Sequence, residues 1–185
     1  MTVAPLLSAR SGRAADIVSA ARRILEDEGA GALTMRRLAA EVGMQAPSLY
    51  KHFATKRAVE AALIDEGMLE IGQALHDALA DADRRDSVRS LLAAYRRAAL
   101  ASPALYRLAT GGPLPRQDLT SGLEEWAGRP FFLATGDPWR GQALWSFAHG
   151  MVILELDGRF PEASDLDRTW DVGAAAFSGL GCEQP

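Results

Sequence analysis

Apolar residues recur along this chain at intervals of three and four, the spacing that lines one face of an α-helix, and alternation of period two is sustained nowhere. Ile17, Ala20, Ala21, Ile24 and Leu25 form the first stripe. Gly29 and Gly31 end it, which predicts a helix over residues 12–28 preceded by a loose, basic-ended arm. Thr34 suits the N-cap of a short helix carrying Leu38, Ala39 and Val42 and stopped by Gly43. A third helix is expected over residues 45–53, where Pro47 falls in the first turn and its missing N–H has no partner to lose. Thr55 then caps a long fourth helix to about Ala80, with Val59, Leu63, Ile64, Met68, Ile71, Leu75 and Leu79 on its apolar faces.

Further helices are expected over residues 87–101 and from Pro103 through Leu108. Between Pro103 and Pro138 the chain places five of its nine prolines together with Gly111, Gly112, Gly122, Gly128 and Gly136. That stretch is predicted to be broken up, with one short helix around residues 119–127. Two apolar helices close the chain, at about residues 138–157 and 166–180. In the first, Leu144, Phe147, Ala148, Met151 and Val152 make one stripe and Trp145, His149, Ile153 and Leu156 another, which predicts burial on two fronts. The second carries Leu166, Trp170, Gly173, Ala174, Phe177 and Leu180, whose small members allow close helix approach. The fold class is all-α, with about nine helices and no internal repeat.

Composition narrows the class. The chain has 185 residues, 48% hydrophobic and 24% charged, enough to bury a core without disulfides or metal. Its longest stretch without a charged side chain, Gly141 to Leu154, is 14 residues and too short to span a bilayer. Met1 to Leu7 has no basic region ahead of its short apolar run, unlike a secretory signal, and the single Cys182 excludes an internal disulfide. A reducing cytoplasm is the expected home.

Net charge is −4, which by itself argues mildly against a nucleic-acid partner. The total hides an asymmetry. Residues 1–57 hold nine basic and five acidic side chains, a net +4, which leaves −8 on the rest. Binding a polyanion depends on the local field, so a basic head on an acidic body is compatible with DNA.

The chemistry concentrates in Thr34 to Lys56. Two short helices joined by a turn containing Gly43 form the helix-turn-helix arrangement. In the second of them Leu49 and Phe53, four apart, can face inward, leaving Gln45, Ser48, Lys51 and His52 outward. That face offers amide, hydroxyl, ammonium and imidazole groups to base edges and phosphates.

Residue by residue this segment resembles the TetR family of bacterial transcription regulators, and the DNA-binding region of the tetracycline repressor especially. The resemblance rests on Leu33-Thr34-Met35-Arg36-Arg37-Leu38-Ala39, Val42-Gly43, Pro47-Ser48-Leu49-Tyr50-Lys51-His52-Phe53 and Lys56-Arg57-Ala58, and with the first helix covers about a third of the chain. Ala46 departs from it, standing where an amide-bearing residue would suit that repressor, so the operator sequence does not carry over. The resemblance implies that Arg36 reaches a guanine edge, that Gln45, Ala46, Pro47 and Ser48 face bases, and that Thr34, Tyr50, His52 and Lys56 hold phosphates. Lys51 suits either purpose. Each residue also has a plain structural reading: Thr34 and Thr55 as ordinary N-caps, Tyr50 as a half-buried staple, His52 as a surface histidine. Their joint order and spacing favours DNA.

The resemblance further implies domains at residues 1–57, an arm and DNA-binding head, and 58–185, a ligand-binding body. Two closing helices from each subunit would form a four-helix homodimer bundle. Trp145, His149 and Gly150 spell Trp-x3-His-Gly, similar to the signature of one C-terminal domain type among these regulators. Tyr95, Trp126, Trp145 and His149 are the candidates for a pocket taking a small hydrophobic effector, with plain core as the alternative for each. The segment Pro103 to Pro138 is its candidate lid.

No enzyme chemistry stands out. His52, His76 and His149 are scattered, no spacing suits a metal, and no glycine-rich phosphate loop occurs, so no cofactor is expected. Asp81, Asp83 and Asp86 read as a solvated loop. The rival to a ligand-responsive repressor on a palindromic operator is a helical small-molecule-binding protein or enzyme whose head only mimics the motif.

Overall fold

Among the described residues of the computed structural model, which are 4–7, 10–83 and 85–178, nine α-helices form and no strand occurs. Leu180 and Cys182 lie outside them, as do the first three residues. The helices are α1 (Gly12–Glu28), α2 (Met35–Glu41), α3 (Ala46–Tyr50), α4 (Lys56–Asp81), α5 (Ser87–Ala101), α6 (Pro103–Thr110), α7 (Leu123–Thr135), α8 (Pro138–Leu156) and α9 (Leu166–Ser178). One 3₁₀ turn, Arg116–Asp118, lies between α6 and α7.

Local signals set most of these bounds. Ser11 Oγ accepts the Ala14 N–H at 3.2 Å to open α1, and Gly29, at φ 83°, closes it by donating to the Leu25 carbonyl. Asp137 opens α8 by accepting the Arg140 N–H at 2.8 Å. By contrast, α3 ends at Tyr50 and not at Phe53. The His52 N–H donates back three residues to the Leu49 carbonyl at 2.9 Å, a tightened turn that swings Phe53 into the core.

The stretch from Pro103 to Pro138 is more ordered than its composition predicts. Helix α7 runs straight through Gly128 and Pro130 for 13 residues, where a short helix near residues 119–127 was expected. Pro130 has no N–H to give to the carbonyl four residues back, that of Trp126, and the ring of His76 supplies the donor instead.

The chain packs as two units, Met1–Leu69 with Ser102–Leu123 and Glu70–Ala101 with Glu124–Pro185. In the first, α1 packs on α2 and α6, and Ile17, Val18, Ile24, Leu25, Leu38, Leu49, Leu63 and Leu105 share one core. Helix α6 has no side-chain cap of its own. Glu26 of α1 provides one, its carboxylate accepting from the Ala104 and Leu105 N–H groups at 3.1 and 2.9 Å. Asp65, a buried carboxylate of α4, likewise accepts from the Thr120 N–H and hydroxyl.

In the second unit α5, α8 and α9 pack on one another. The ring of Phe147 lies over Gly173, where a Cβ would overlap it, so the small residue of α9 does permit close approach. Only one front of α8 is covered. Leu144, Ala148 and Val152 are buried, whereas Trp145 is 44% exposed and His149 and Ile153 are half-buried. The second stripe therefore lies open in the single chain, because α5 and α9 both pack on the first.

Candidate nucleic-acid interface

The helix-turn-helix is built on three backbone anchors. Thr34 Oγ1 accepts the Arg37 N–H at 3.1 Å and starts α2. Gly43, at φ 62°, takes the left-handed conformation that ends it. Thr55 Oγ1 accepts the Ala58 N–H at 3.1 Å at the start of α4. Between these, Leu49 and Phe53 turn into the core, and α3 is held outward with Gln45, Ala46, Pro47, Tyr50, Lys51 and His52 exposed and Ser48 half-buried. Thr34 and Arg36 are exposed beside them on α2. Tyr50, at 49% exposed, presents a ring and hydroxyl to solvent.

The nine basic residues of the head divide sharply. Seven are engaged. Arg10 is tied to Glu66 at 2.5 Å and to the Ala62 carbonyl, so the basic end of the arm is anchored on α4 and is not loose. Arg22 donates to Ser102, Arg23 pairs with Glu41, and Arg57 pairs with Asp118 at 2.6 Å. Arg13 donates to the Val42 carbonyl at 2.8 Å. Lys56 pairs with Glu60 at 3.3 Å and reaches the Ala30 carbonyl at 3.5 Å.

Arg37 is the most fully engaged. Its guanidinium forks onto Glu28 and also donates to Glu41 at 2.8 Å. Glu28 first and Glu41 second hold its proton more tightly than usual, and Arg37 in turn holds the Glu41 carboxyl below the ordinary glutamate range. Arg36 and Lys51 remain: among the described residues nothing pairs with either, and both are exposed on the outward face. Two adjacent arginines of one helix thus differ in what they can do, since Arg37 is neutralised within the protein and Arg36 keeps its charge and donors for an external acceptor.

In the second unit the pocket candidates fall into aromatic pairs. Buried Tyr95 meets Phe131 edge-on at 5.5 Å. Buried Trp126 stacks on His76 at 4.7 Å, and Trp145 stacks on His149 at 5.9 Å. Burial pushes the His149 imidazole toward its neutral form. Among the described residues no group of three or more His, Cys, Asp or Glu could hold a metal, and no helix is long and apolar enough to cross a membrane.

The family model for bacterial regulatory proteins of the tetR family matches residues 17–63, which take in α1 to α3 and the start of α4. A second, described as tetracyclin repressor-like, C-terminal domain, matches residues 88–177. An uncharacterised HTH-type transcriptional regulator of Mycobacterium tuberculosis is 31% identical over 155 residues, covering 77% of this chain and 69% of that protein. The chain belongs to the TetR family of bacterial regulatory proteins.

Other relatives of this TetR-family chain are nearer in one part only. The tetracycline repressor protein class C of Escherichia coli is 40% identical over 85 residues, 46% of this chain and 38% of the repressor's length. Among solved structures, a TetR variant of Acinetobacter baumannii AYE in complex with minocycline has a TM-score of 0.63 at 26% identity, covering 89% of this chain and 93% of that one. The resemblance drawn from the head motif therefore extends through the body. What sequence reasoning missed in this TetR-family head is the supporting set, Arg13, Glu28, Arg37 and Glu41. Arg37 and Glu41 lie four apart on one helix, a spacing the sequence does mark, but Arg37 meets Glu28 across 9 residues and Arg13 meets Val42 across 29, which no local periodicity marks.

Proposed function

We propose that this chain is a ligand-responsive, sequence-specific DNA-binding transcriptional regulator, a repressor that binds a palindromic operator as a homodimer and is released by a small hydrophobic effector. Its output is control of transcription, not catalysis, and its place is the cytoplasm. The observation that carries this reading is the outward face of α2 and α3, where Arg36 and Lys51 stand unengaged beside Gln45, Ala46, Pro47 and Ser48. Arg36 reads a guanine edge, the opening of α3 faces the bases, and Thr34, Tyr50, His52 and Lys56 hold phosphates, with Lys51 on either. Lys56 would exchange its contacts to Glu60 and the Ala30 carbonyl for a phosphate.

Residues 1–57 form the reading head and 58–185 the sensing and dimerising body. The open stripe of α8, with Trp145 exposed and His149 and Ile153 half-buried, and Val172 of α9 at 63% exposed support dimerisation through those helices. Tyr95, Trp126, Trp145 and His149 are the proposed effector contacts, an aromatic set with polar tips. In a symmetric dimer two heads read half-sites about one helical turn apart, and an effector that shifts α4 changes their separation.

The test is a salt series on a duplex enriched by the protein from random-sequence DNA, beside a scrambled duplex of equal length. Tight, sequence-dependent binding with log affinity falling linearly in log salt, by about 0.9 per phosphate contacted, supports the reading. Equal affinity for both duplexes in every salt would favour the helical small-molecule-binding protein or enzyme instead.

A further inference from the structure

The aim of α3 depends on a residue that is not on its outward face. Helix α3 has five residues, and its N-cap, Gln45, makes no side-chain hydrogen bond. A helix this short has little persistence of its own, so its direction follows from the turn that delivers the chain to it.

That turn is closed by reciprocal backbone bonds. The Gly43 N–H donates to the Ala40 carbonyl at 3.2 Å and the Met44 N–H to the Ala39 carbonyl at 2.8 Å, the pairing of a Schellman ending. Val42 is the C-cap between them, and its carbonyl points out of the negative end of α2. Arg13 Nη2 donates to that carbonyl at 2.8 Å across 29 residues of sequence. Arg13 is the second residue of α1, one turn before Ile17 and Val18, which are fully buried. A cation on a rigid helix therefore grips the end of α2 four residues before α3 starts. Asp16, 3.7 Å away, faces the same guanidinium, so its charge is partly answered within the protein.

We propose that Arg13 is a positioning residue for base reading: it fixes the end of α2 through the Val42 carbonyl, so sets the direction of α3, and does not itself bind DNA. The proposal rests on the DNA-reading function proposed above. It separates Arg13 from the phosphate contact that a half-exposed arginine at the edge of a basic head would otherwise suggest.

The experiment compares wild type, Arg13→Ala and Arg13→Lys in three measurements. The first, amide hydrogen exchange in the protein without DNA, follows the Ser48 and Leu49 amides, which donate to the Gln45 carbonyl, against amides of α1. The others are the affinity ratio between a duplex enriched by the wild type and its scrambled counterpart, and the salt slope on the scrambled duplex. Arg13→Ala is expected to speed exchange in α3 but not in α1 and to lower the ratio roughly fivefold to tenfold, the worth of one net hydrogen bond, with the scrambled slope unchanged. Arg13→Lys, whose ammonium can still reach a carbonyl, recovers part of both.

A scrambled-duplex slope shallower by about 0.9 in Arg13→Ala would make Arg13 a phosphate contact and overturn the proposal. Unchanged exchange in α3 would overturn it too, as would faster exchange in α1 and α3 alike, the mark of general loosening. If the wild type enriches no duplex, the DNA-reading function fails, while hydrogen exchange still decides whether Arg13 holds α3.

Discussion

His76 donates from Nε2 to the backbone carbonyl of Trp126 at 3.1 Å while its imidazole stacks on the indole at 4.7 Å. A carbonyl can only accept, so this ring nitrogen carries a proton. The bond fills a vacancy that Pro130 creates, since the fourth residue beyond Trp126 has no N–H. Removing His76 takes away this hydrogen bond and the ring stacked on the indole. His76→Ala should cost about 1–3 kcal/mol, and in a Pro130→Ala background, where the helix supplies its own donor, about 1 kcal/mol less. A double-mutant cycle by chemical denaturation measures the coupling, and strict additivity would refute the link.

The same indole explains a glycine. A Cβ on Gly72 of α4 would overlap the Trp126 ring and crowd the Ala127 backbone at 3.0 Å. Gly72→Ala normally favours a helix, yet here it should destabilise by about 1–3 kcal/mol through overpacking. Thermal unfolding of the variant reads the sign directly.

Arg36 and Arg37 should behave as opposites. Arg36→Ala is expected to cost about 1–3 kcal/mol in affinity for the enriched duplex and to relax preference at one base pair of each half-site. Arg37→Ala should leave base preference intact, because its donors are already taken by Glu28 and Glu41. Binding titrations against single-base variants of the duplex separate the two.

The acid limb of stability should report Glu41. Its carboxyl is held low by Arg37 first and Arg23 second. A group whose folded pKa is depressed stabilises above its unfolded value and loses that contribution as pH falls through the folded one, here below the ordinary glutamate range. Glu41→Gln should therefore melt slightly lower than wild type at neutral pH and converge with it in acid, more so at low salt because the pair is exposed. Parallel melting curves across the whole pH range would contradict this.

Helix α1 and helix α5 were legible to the residue, since a stripe at three-and-four spacing that stops at Gly29 in the one and before Pro103 in the other is a local signal. So was the arrangement of α2 and α3, because Gly43, Leu49 and Phe53 state the turn and the inward face in a dozen residues. The sequence by itself also determined the basic head, as charge within one short segment needs no folding to count. Helix α7 was not legible: Gly128 and Pro130 break helices on local grounds, and the donor that rescues the Trp126 carbonyl comes from 50 residues away. Nor could the sequence sort the nine basic residues of the head. A charge is available to a partner only if no carboxylate or carbonyl meets it first, and Glu28, Glu41, Glu66 and Asp118 reach their arginines only once the helices pack. Tertiary structure alone left Arg36 and Lys51 unengaged and set Arg13 on the end of α2.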